Sequence, residues 1–252
     1  MKPIVTGRKI VKSFRTGAET RTVLNQVSLE IAKGEFVSVM GPSGSGKSTL
    51  LYALGGLDEI DGGQVLFEEQ NLTELSDRQR SDLRRTRMGF VFQQPALLKN
   101  LNLLDNIILP LMRDHPKEAD QLAGRANMLM AQLGIGDLAS RDITQVSGRQ
   151  LQRAGICRAL MCQPDIIFGD EPTGALNSQS AREVMDLLAQ INRNGTAILL
   201  VTHDAQVAAR TSRVMFMSDG TIAGRLDFPA YRKEDHEKRV EQILVRMRNT
   251  GI

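Results

Sequence analysis

Short apolar runs recur along the chain, separated by turn residues or by longer amphipathic segments. The first is an alternating segment at 27–31, and the Asp61-Gly62-Gly63 turn separates two later runs. This pattern predicts strands at 35–40, 64–67, 88–92, 165–168, 197–201 and 213–217. Because helical segments lie between several of these strands, we expect a mainly parallel sheet.

The pattern changes to a helical one between about residues 95 and 163. Within 117–133, apolar residues recur with a helical rhythm at Leu122, Ala126, Leu129 and Leu133. Another helix is predicted at 180–192, between two strands. The chain is therefore predicted to be an α/β protein with an inserted helical subdomain.

A charged helix is predicted at 232–247, near the end of the chain. Its apolar residues are Val240, Ile243, Leu244 and Met247, at i, i+3, i+4 and i+7. Such a stripe usually docks on the protein's own core, and binding to a partner is the alternative.

Composition and charge argue against several functional classes. An apolar fraction of 41% and a charged fraction of 24% are ordinary for a soluble globular protein. A net charge of +3 without any Trp does not favour nucleic acid as a partner. No signal peptide is recognisable, and the apolar runs are far shorter than the roughly 20 residues of a membrane span. Cys157 and Cys162 are predicted to be reduced, buried thiols of a cytosolic protein.

One segment carries specific chemistry, because it fits the pattern G-x-x-x-x-G-K-[ST] between a predicted strand and a predicted helix. Glycines let a backbone wrap a polyphosphate, and the helix N-terminus directs unpaired N–H groups at it. Lys47 is expected to reach the β- and γ-phosphates, and Ser48 to bind Mg²⁺. The predicted phosphate loop consists of Gly41, Pro42, Ser43, Gly44, Ser45, Gly46, Lys47, Ser48 and Thr49.

Polar residues follow three of the predicted strands. Asp170 and Glu171 come after an apolar run; Asp170 is predicted to hold Mg²⁺ and Glu171 to orient or deprotonate a water. His203 follows the 197–201 strand, with a surface residue or a cap as the alternative. Gln93 follows the 88–92 strand and is predicted either to touch Mg²⁺ or water or merely to begin a loop. Because ligands bind at the carboxyl ends of parallel strands, we expect these side chains to meet the phosphates.

Together these motifs resemble those of the ATP-binding-cassette (ABC) ATPases. The family's Walker A loop corresponds to 41–49, its Q-loop glutamine to Gln93, its signature to 146–150, its Walker B acids to Asp170 and Glu171, and its switch histidine to His203. The sequences Gly89-Phe-Val-Phe-Gln93 and Asp170-Glu-Pro-Thr-Gly174 further resemble the bacterial macrolide-export, lipoprotein-release and antimicrobial-peptide-resistance ATPases.

The resemblance implies a P-loop NTPase core with an antiparallel β part, Mg-ATP as ligand, and ATP hydrolysis. It also implies a head-to-tail homodimer in which Ser147, Gly148 and Gln150 of one protomer contact the ATP of the other. Phe14 is expected to stack on adenine, with a buried strand residue as the alternative. A separate, cell-division-permease-like membrane subunit is the implied partner, with this chain on the cytoplasmic face of the membrane.

Two positions depart from the family pattern. Arg149 replaces the second glycine of the signature, and we expect it to weaken dimer closure or hydrolysis, unless it adds a cation to the phosphate or turns outward. Asn177 stands where the family usually has Asp, with a smaller expected effect.

Two surface segments are also of interest. The basic cluster of Arg78, Arg80, Arg84, Arg85 and Arg87 is predicted to be a solvated face, with contact to anionic lipid or to a partner's acids as the alternative. Some of the leucines after Gln93 must pack inward, but their density near Gln93 suits a groove for a short helix of the membrane subunit; they are Leu97, Leu98, Leu101, Leu103 and Leu104.

The resemblance thus implies one nucleotide-binding domain that drives a separate permease for export, antimicrobial resistance or lipoprotein release. Its ATP-binding core is assigned to 1–92 and 164–225, its helical subdomain to 93–163 and its tail to 226–252. A regulatory or mechanical ATPase with weak hydrolysis is the alternative function. Soluble ABC ATPases that act on DNA or ribosomes are disfavoured, because the chain has neither a long coiled-coil insertion nor a second cassette.

Overall fold

A six-stranded sheet forms the centre of the protein in a computed structural model that describes residues 2–17 and 19–250. The strand order is β10-β9-β3-β8-β7-β6, and all neighbours are parallel except β10 and β9. The strands are β3 (Phe36–Met40), β6 (Met88–Phe92), β7 (Ile166–Asp170), β8 (Ala197–Val201), β9 (Arg213–Ser218) and β10 (Thr221–Asp227). The predicted mainly parallel sheet is confirmed.

The apolar runs form these strands because the sheet is covered on both faces. All residues of β3 and β8 are buried. On one face, Val37 and Leu199 pack in the same core as Leu50 of α1 (Lys47–Leu54). On the other face, Ile198 and Leu200 pack with Leu188 of α6 (Ser178–Arg193).

A second, antiparallel sheet has the order β2-β1-β4-β5. Its strands are β1 (Pro3–Thr16), β2 (Glu19–Ala32), β4 (Gly62–Phe67) and β5 (Gln70–Asn71). The sequence pattern predicted only part of β2 and missed β1. Four register shifts between β1 and β2 interrupt the two-residue alternation on which such a prediction depends.

Three helices form the layer inserted between β6 and β7: α3 (Leu103–Met112), α4 (Ala119–Gln132) and α5 (Gly148–Leu160). They share a core that includes Leu103, Ile107, Met130 and Ile156. The predicted helical insertion is therefore present. Its α4 buries Met130 completely, whereas Leu129 of the predicted stripe is only partly buried.

The arginine-rich segment forms α2 (Asp77–Arg87), a helix without a buried residue. Arg80 forms ion pairs with Glu59 and Asp77, and Arg85 with Asp82 and Asp114. The side chain of Arg85 is only 13% exposed. The prediction of a solvated basic face is therefore wrong for Arg80 and Arg85, whereas Arg78 is exposed.

The last helix, α8 (His236–Asn249), packs on the protein itself. Val240 and Ile243 join a core with Ala208 of the short helix α7 (Ala205–Ala208) and with Phe216 of β9. Docking on the chain's own core is confirmed, although Leu244 of the predicted stripe is 45% exposed. The final two residues of the predicted tail lie outside the described residues.

Both cysteines are free; Cys157 is buried as predicted, whereas Cys162 is only partly buried. Burial raises the pKa of Cys157 to about 12 and that of Cys162 to about 11, which disfavours the reactive thiolate. Within residues 2–17 and 19–250, no helix has the length and apolar character needed to cross a bilayer.

Candidate nucleotide site

The predicted phosphate loop connects β3 to α1 and is packed so tightly that side chains would not fit at two of its glycines. Gly46 has φ 99°, and a Cβ there would lie 2.7 Å from the carbonyl oxygen of Val23. A Cβ on Gly41 would lie 2.1 Å from the carbonyl oxygen of Met217. The hydroxyl of Ser45 is buried inside this loop without a hydrogen-bond partner among the described residues. A buried, unpaired polar atom in a glycine-rich loop fits a polar ligand such as a phosphate.

Lys47 spans the loop from the first turn of α1. Its Nζ donates a hydrogen bond to the carbonyl oxygen of Pro42 over 2.8 Å, and the side chain is part-buried. Burial lowers the pKa of Lys47, while the nearby Glu171 and Asp170 act in the opposite direction. An ammonium group has three donors, so this bond leaves donors for phosphate oxygens.

The Asp170 carboxylate, at the end of β7, accepts hydrogen bonds from two hydroxyls of α1. Ser48 Oγ donates to Oδ1 over 2.8 Å, and the Tyr52 hydroxyl donates to Oδ2 over 2.6 Å. Burial and the bond to Asp170 raise the pKa of Tyr52, so its hydroxyl stays protonated. The adjacent Ser48 and Asp170 oxygens are the ligand type that Mg²⁺ prefers, so these residues fit the predicted metal.

Tyr52 is a site residue that the sequence analysis missed. Its signal is the four-residue spacing from Ser48, which places both hydroxyls on one face of α1.

Glu171 lies directly after β7, near the other predicted catalytic residues. Its backbone N–H donates to the carbonyl oxygen of Val201, and its φ of 45° turns the chain away from the strand. Glu171 Oε1 lies 3.0 Å from His203 Nδ1. A Cβ added to Gly174 would lie 3.0 Å from Gln93 Nε2 and 3.1 Å from Glu171 Oε2, so both side chains line Gly174. The structure thus brings Gln93, Glu171 and His203 together.

The signature residues form the exposed N-terminus of α5. Ser147 Oγ accepts from the backbone N–H of Gln150, and the Gln150 side chain accepts from the backbone N–H of Ser147. A Cβ on Gly148 would meet open space. Among the described residues, the side chains of Ser147 and Gln150 form hydrogen bonds only within this pair, so these bonds do not join them to the phosphate loop of their own protomer.

The two departures from the family pattern have structural partners. Arg149 NH1 lies 3.3 Å from Glu183 Oε2 on α6, and Arg153 binds the same oxygen over 2.5 Å. Of the predicted alternatives, the structure therefore favours an arginine directed away from the helix N-terminus. Asn177 caps α6 by accepting from the backbone N–H of Ser180 over 2.9 Å, which a neutral amide does well.

Phe14 lies on β1 and is 44% exposed, so the interpretation as a buried strand residue is wrong. Its antiparallel partner on β2 is Arg21. The guanidinium of Arg21 comes within 3.9 Å of a Cβ position on Gly44 and thus lies beside the phosphate loop. The sequence analysis missed Arg21 because it did not predict this hairpin.

The chain is similar to known ATP-binding proteins of transporters. Residues 24–174 match the family described as ABC transporter. The chain is 42% identical over 228 residues to the lipoprotein-releasing system ATP-binding protein LolD of Aquifex aeolicus, covering 90% of this chain and 99% of LolD. It is 40% identical over 221 residues to the macrolide export ATP-binding/permease protein MacB of Pasteurella multocida. That match covers 88% of this chain but 34% of MacB, so the chain spans about a third of MacB.

Two solved structures of ATP-binding cassettes are similar to this chain over their whole length. One is a dimeric post-hydrolysis state bound to ADP and Pi, with a TM-score of 0.82 at 36% identity, covering 90% of this chain and 100% of that one. The other is a dimeric bacterial ABC transporter cassette with a TM-score of 0.83 at 35% identity and the same coverage.

Proposed function

The chain belongs to the ABC transporter family of ATP-hydrolysing cassettes, and from this premise we propose that it works as a head-to-tail dimer that drives a separate permease. The observation that carries the proposal is the meeting of Ser48 with Asp170, and of Glu171 with His203, at one end of β7. Metal-binding and water-activating groups are then adjacent, as hydrolysis of a nucleoside triphosphate requires.

The loop 41–49 would hold the triphosphate. Its backbone N–H groups and Lys47 supply donors, and the buried Ser45 hydroxyl gains a partner when a phosphate is bound. Phe14 is open to solvent and offers its ring for stacking on adenine. Mg²⁺, held by Ser48, Asp170 and Gln93, would neutralise charge on the β- and γ-phosphates.

Glu171 would act as the general base. It accepts a proton from a water whose oxygen attacks the γ-phosphorus, while the bond from that phosphorus to the bridging oxygen breaks and releases ADP and inorganic phosphate. His203, 3.0 Å from Glu171, would orient this carboxylate and donate to a γ-phosphate oxygen. Gln93 would couple the presence of the γ-phosphate to the position of the helical layer. We propose that this layer, 93–163, is a distinct subdomain.

The second protomer would complete the site through α5. The N-terminus of this helix is exposed, carries the positive end of the helix dipole and has open space around Gly148. Similarity to two dimeric cassettes supports the same arrangement here. Because Arg149 is paired with Glu183, the basis for the weakly hydrolysing alternative is reduced.

A groove beside β6 is the proposed docking site for the permease. It has a volume of about 290 Å³, and its lining includes Leu57, Phe90, Pro110 and Leu111 but none of the five leucines predicted to form it. Leu57 is exposed, as is Leu98 of the leucine cluster, whereas Leu103 is buried in the helical core. An apolar groove of this kind suits a short helix from a membrane subunit on the cytoplasmic face of the membrane. The names of the relatives favour export or lipoprotein release as the process that this ATPase drives.

Steady-state ATP hydrolysis by the native chain and by Glu171→Gln tests the proposed chemistry. We expect the native chain to hydrolyse ATP and the variant to lose at least about 100-fold in rate while it still binds ATP, because only the base is removed. Glu69→Gln, on the surface, is the matched control and should hydrolyse ATP normally. Undiminished hydrolysis by Glu171→Gln would refute the assignment of the base.

A further inference from the structure

The tail helix α8 contacts the backbone that follows His203. Arg239 of α8 is 2% exposed, and its NH1 donates to the carbonyl oxygens of Ala209 and Thr211, each over 3.3 Å. Its NH2 donates to Pro229 over 2.7 Å and to Ala230 over 3.0 Å. One guanidinium therefore joins the end of α7 to the start of the tail.

The surroundings of Arg239 make this link specific. The guanidinium carbon lies 4.9 Å from the centre of the Phe228 ring and 5.4 Å from that of Tyr231. Among the described residues, its hydrogen bonds go to carbonyl oxygens and not to a carboxylate. Burying a guanidinium is costly unless its donors are bonded, so losing any one of these hydrogen bonds would be unfavourable. The four carbonyl oxygens are therefore held in position around Arg239.

A second link joins α8 to the side chain of Gln206 in α7. His236 Nε2 lies 2.6 Å from Gln206 Oε1, and the Tyr231 hydroxyl lies 3.2 Å from His236 Nδ1. A neutral imidazole with its proton on Nε2 donates to Gln206 and accepts from Tyr231. Burial and the nearby Arg210 lower the pKa of His236, which favours this neutral form.

The segment that α8 contacts follows His203 directly in the chain, with Asp204 as the N-cap of α7. Asp204 Oδ1 accepts from the backbone N–H of Gln206 over 2.8 Å, and the N–H of Asp204 donates to Thr202 Oγ1 over 3.1 Å. Helix α7 has four residues, a length that is not stable by itself. The conformation of α7, and with it the direction of the His203 side chain, therefore depends on the elements packed against α7.

We propose that α8 is a positioning clamp for His203: Arg239 and His236 fix the two ends of α7, so the tail sets how well the histidine meets Glu171 and the γ-phosphate. The inference rests on the proposed function of His203. Arg239 and His236 are positioning residues, because they act through the α7 backbone and touch neither nucleotide nor Mg²⁺. The tail is then part of the hydrolytic apparatus as well as a cover for the core.

Gln206→Met tests the clamp with little disturbance of the fold. The Gln206 side chain is exposed, and Met keeps its length while losing the acceptor for His236. We expect kcat to fall by about 3- to 10-fold, the rate equivalent of one hydrogen bond, with the KM for ATP unchanged within about 2-fold. His115→Phe, at an exposed histidine away from the clamp, is the control and should leave kcat unchanged.

Histidine NMR gives a readout that does not depend on activity. The chain has three histidines, so spectra of protein with ¹³C-labelled imidazoles contain few signals. In Gln206→Met we expect the His236 and His203 signals to shift or broaden and the His115 signal to stay in place. An unchanged His203 signal would overturn the clamp, whatever the activity shows.

A double variant separates a clamp from simple stabilisation. If α8 acts through His203, Gln206→Met should have no further effect on kcat in a His203→Ala background. An equal loss in both backgrounds would mean that α8 only stabilises the fold. If the single variant His203→Ala hydrolyses ATP at the rate of the native chain, the proposed role of His203 is refuted. The NMR result would still decide whether α8 holds this segment.

Discussion

At the scale of single residues, two adjacent carboxylates have different surroundings. Asp170 accepts from two hydroxyls of α1, whereas Glu171 faces an imidazole. Successive residues of a strand point to opposite sides, and the positive φ of Glu171 turns the chain further. The two acids can therefore serve different tasks, one toward a metal and one toward a water.

Arg149 gives a prediction at this scale. Because Glu183 holds its guanidinium, we expect Arg149→Gly to change the rate of ATP hydrolysis by less than about 3-fold, and to lower the free energy of unfolding by about 0.5–1 kcal/mol through the added glycine in α5. Steady-state kinetics and urea unfolding measure the two effects. A rise in rate of 10-fold or more would mean that Arg149 obstructs the nucleotide.

The residues of the candidate site were largely predictable, since they follow from position in the sheet. Ser48, Asp170, Glu171 and His203 follow strands or begin a helix that the apolar runs already indicate, and parallel strands bring such ends together. Arg21 was not predictable, because it reaches the phosphate loop through a hairpin whose alternation is broken.

At the scale of elements, α2 and α5 begin with the same local structure. Each has a serine N-cap and a glutamine three residues later, Ser76 with Gln79 and Ser147 with Gln150, and both form a reciprocal capping box. Only α5 belongs to the proposed nucleotide site, so the pair allows the stability effect of a cap to be separated from a functional one.

We expect Ser147→Ala and Ser76→Ala each to lower the free energy of unfolding by about 1 kcal/mol through loss of the cap. Only Ser147→Ala should also slow ATP hydrolysis, since it alone removes a hydroxyl from the proposed contact with ATP. Urea unfolding and steady-state rates on both variants make the comparison. Equal rates in the two variants would argue that Ser147 serves α5 alone.

The elements that the sequence did not predict, α2 and β1, both lack a regular spacing of apolar residues. Helix α2 buries no residue and is stabilised by its capping box and by arginine–carboxylate pairs, so no apolar rhythm marks it. Strand β1 is interrupted by register shifts. In contrast, β3 and β8 are buried throughout and appear as continuous apolar runs.

At the scale of the whole molecule, each protomer carries two different parts of the proposed site, and each part is completed only by the other protomer. The phosphate loop, Asp170 and Glu171 lie at the carboxyl ends of the central strands, and the N-terminus of α5 is exposed. An exposed, capped helix N-terminus with open space at Gly148 is suited to bind an anion that a second protomer presents.

The central claim is that ATP is shared between two protomers, and the mass of Glu171→Gln in solution tests it most directly. Blocked hydrolysis should preserve the ATP-bound state, so we predict 27.8 kDa without nucleotide and twice that mass with saturating Mg-ATP. Adding Lys47→Ala, which removes the phosphate-binding cation, should return the protein to 27.8 kDa. A protein that stays at 27.8 kDa with ATP bound, while the native chain hydrolyses ATP at a rate proportional to its concentration, would contradict the account.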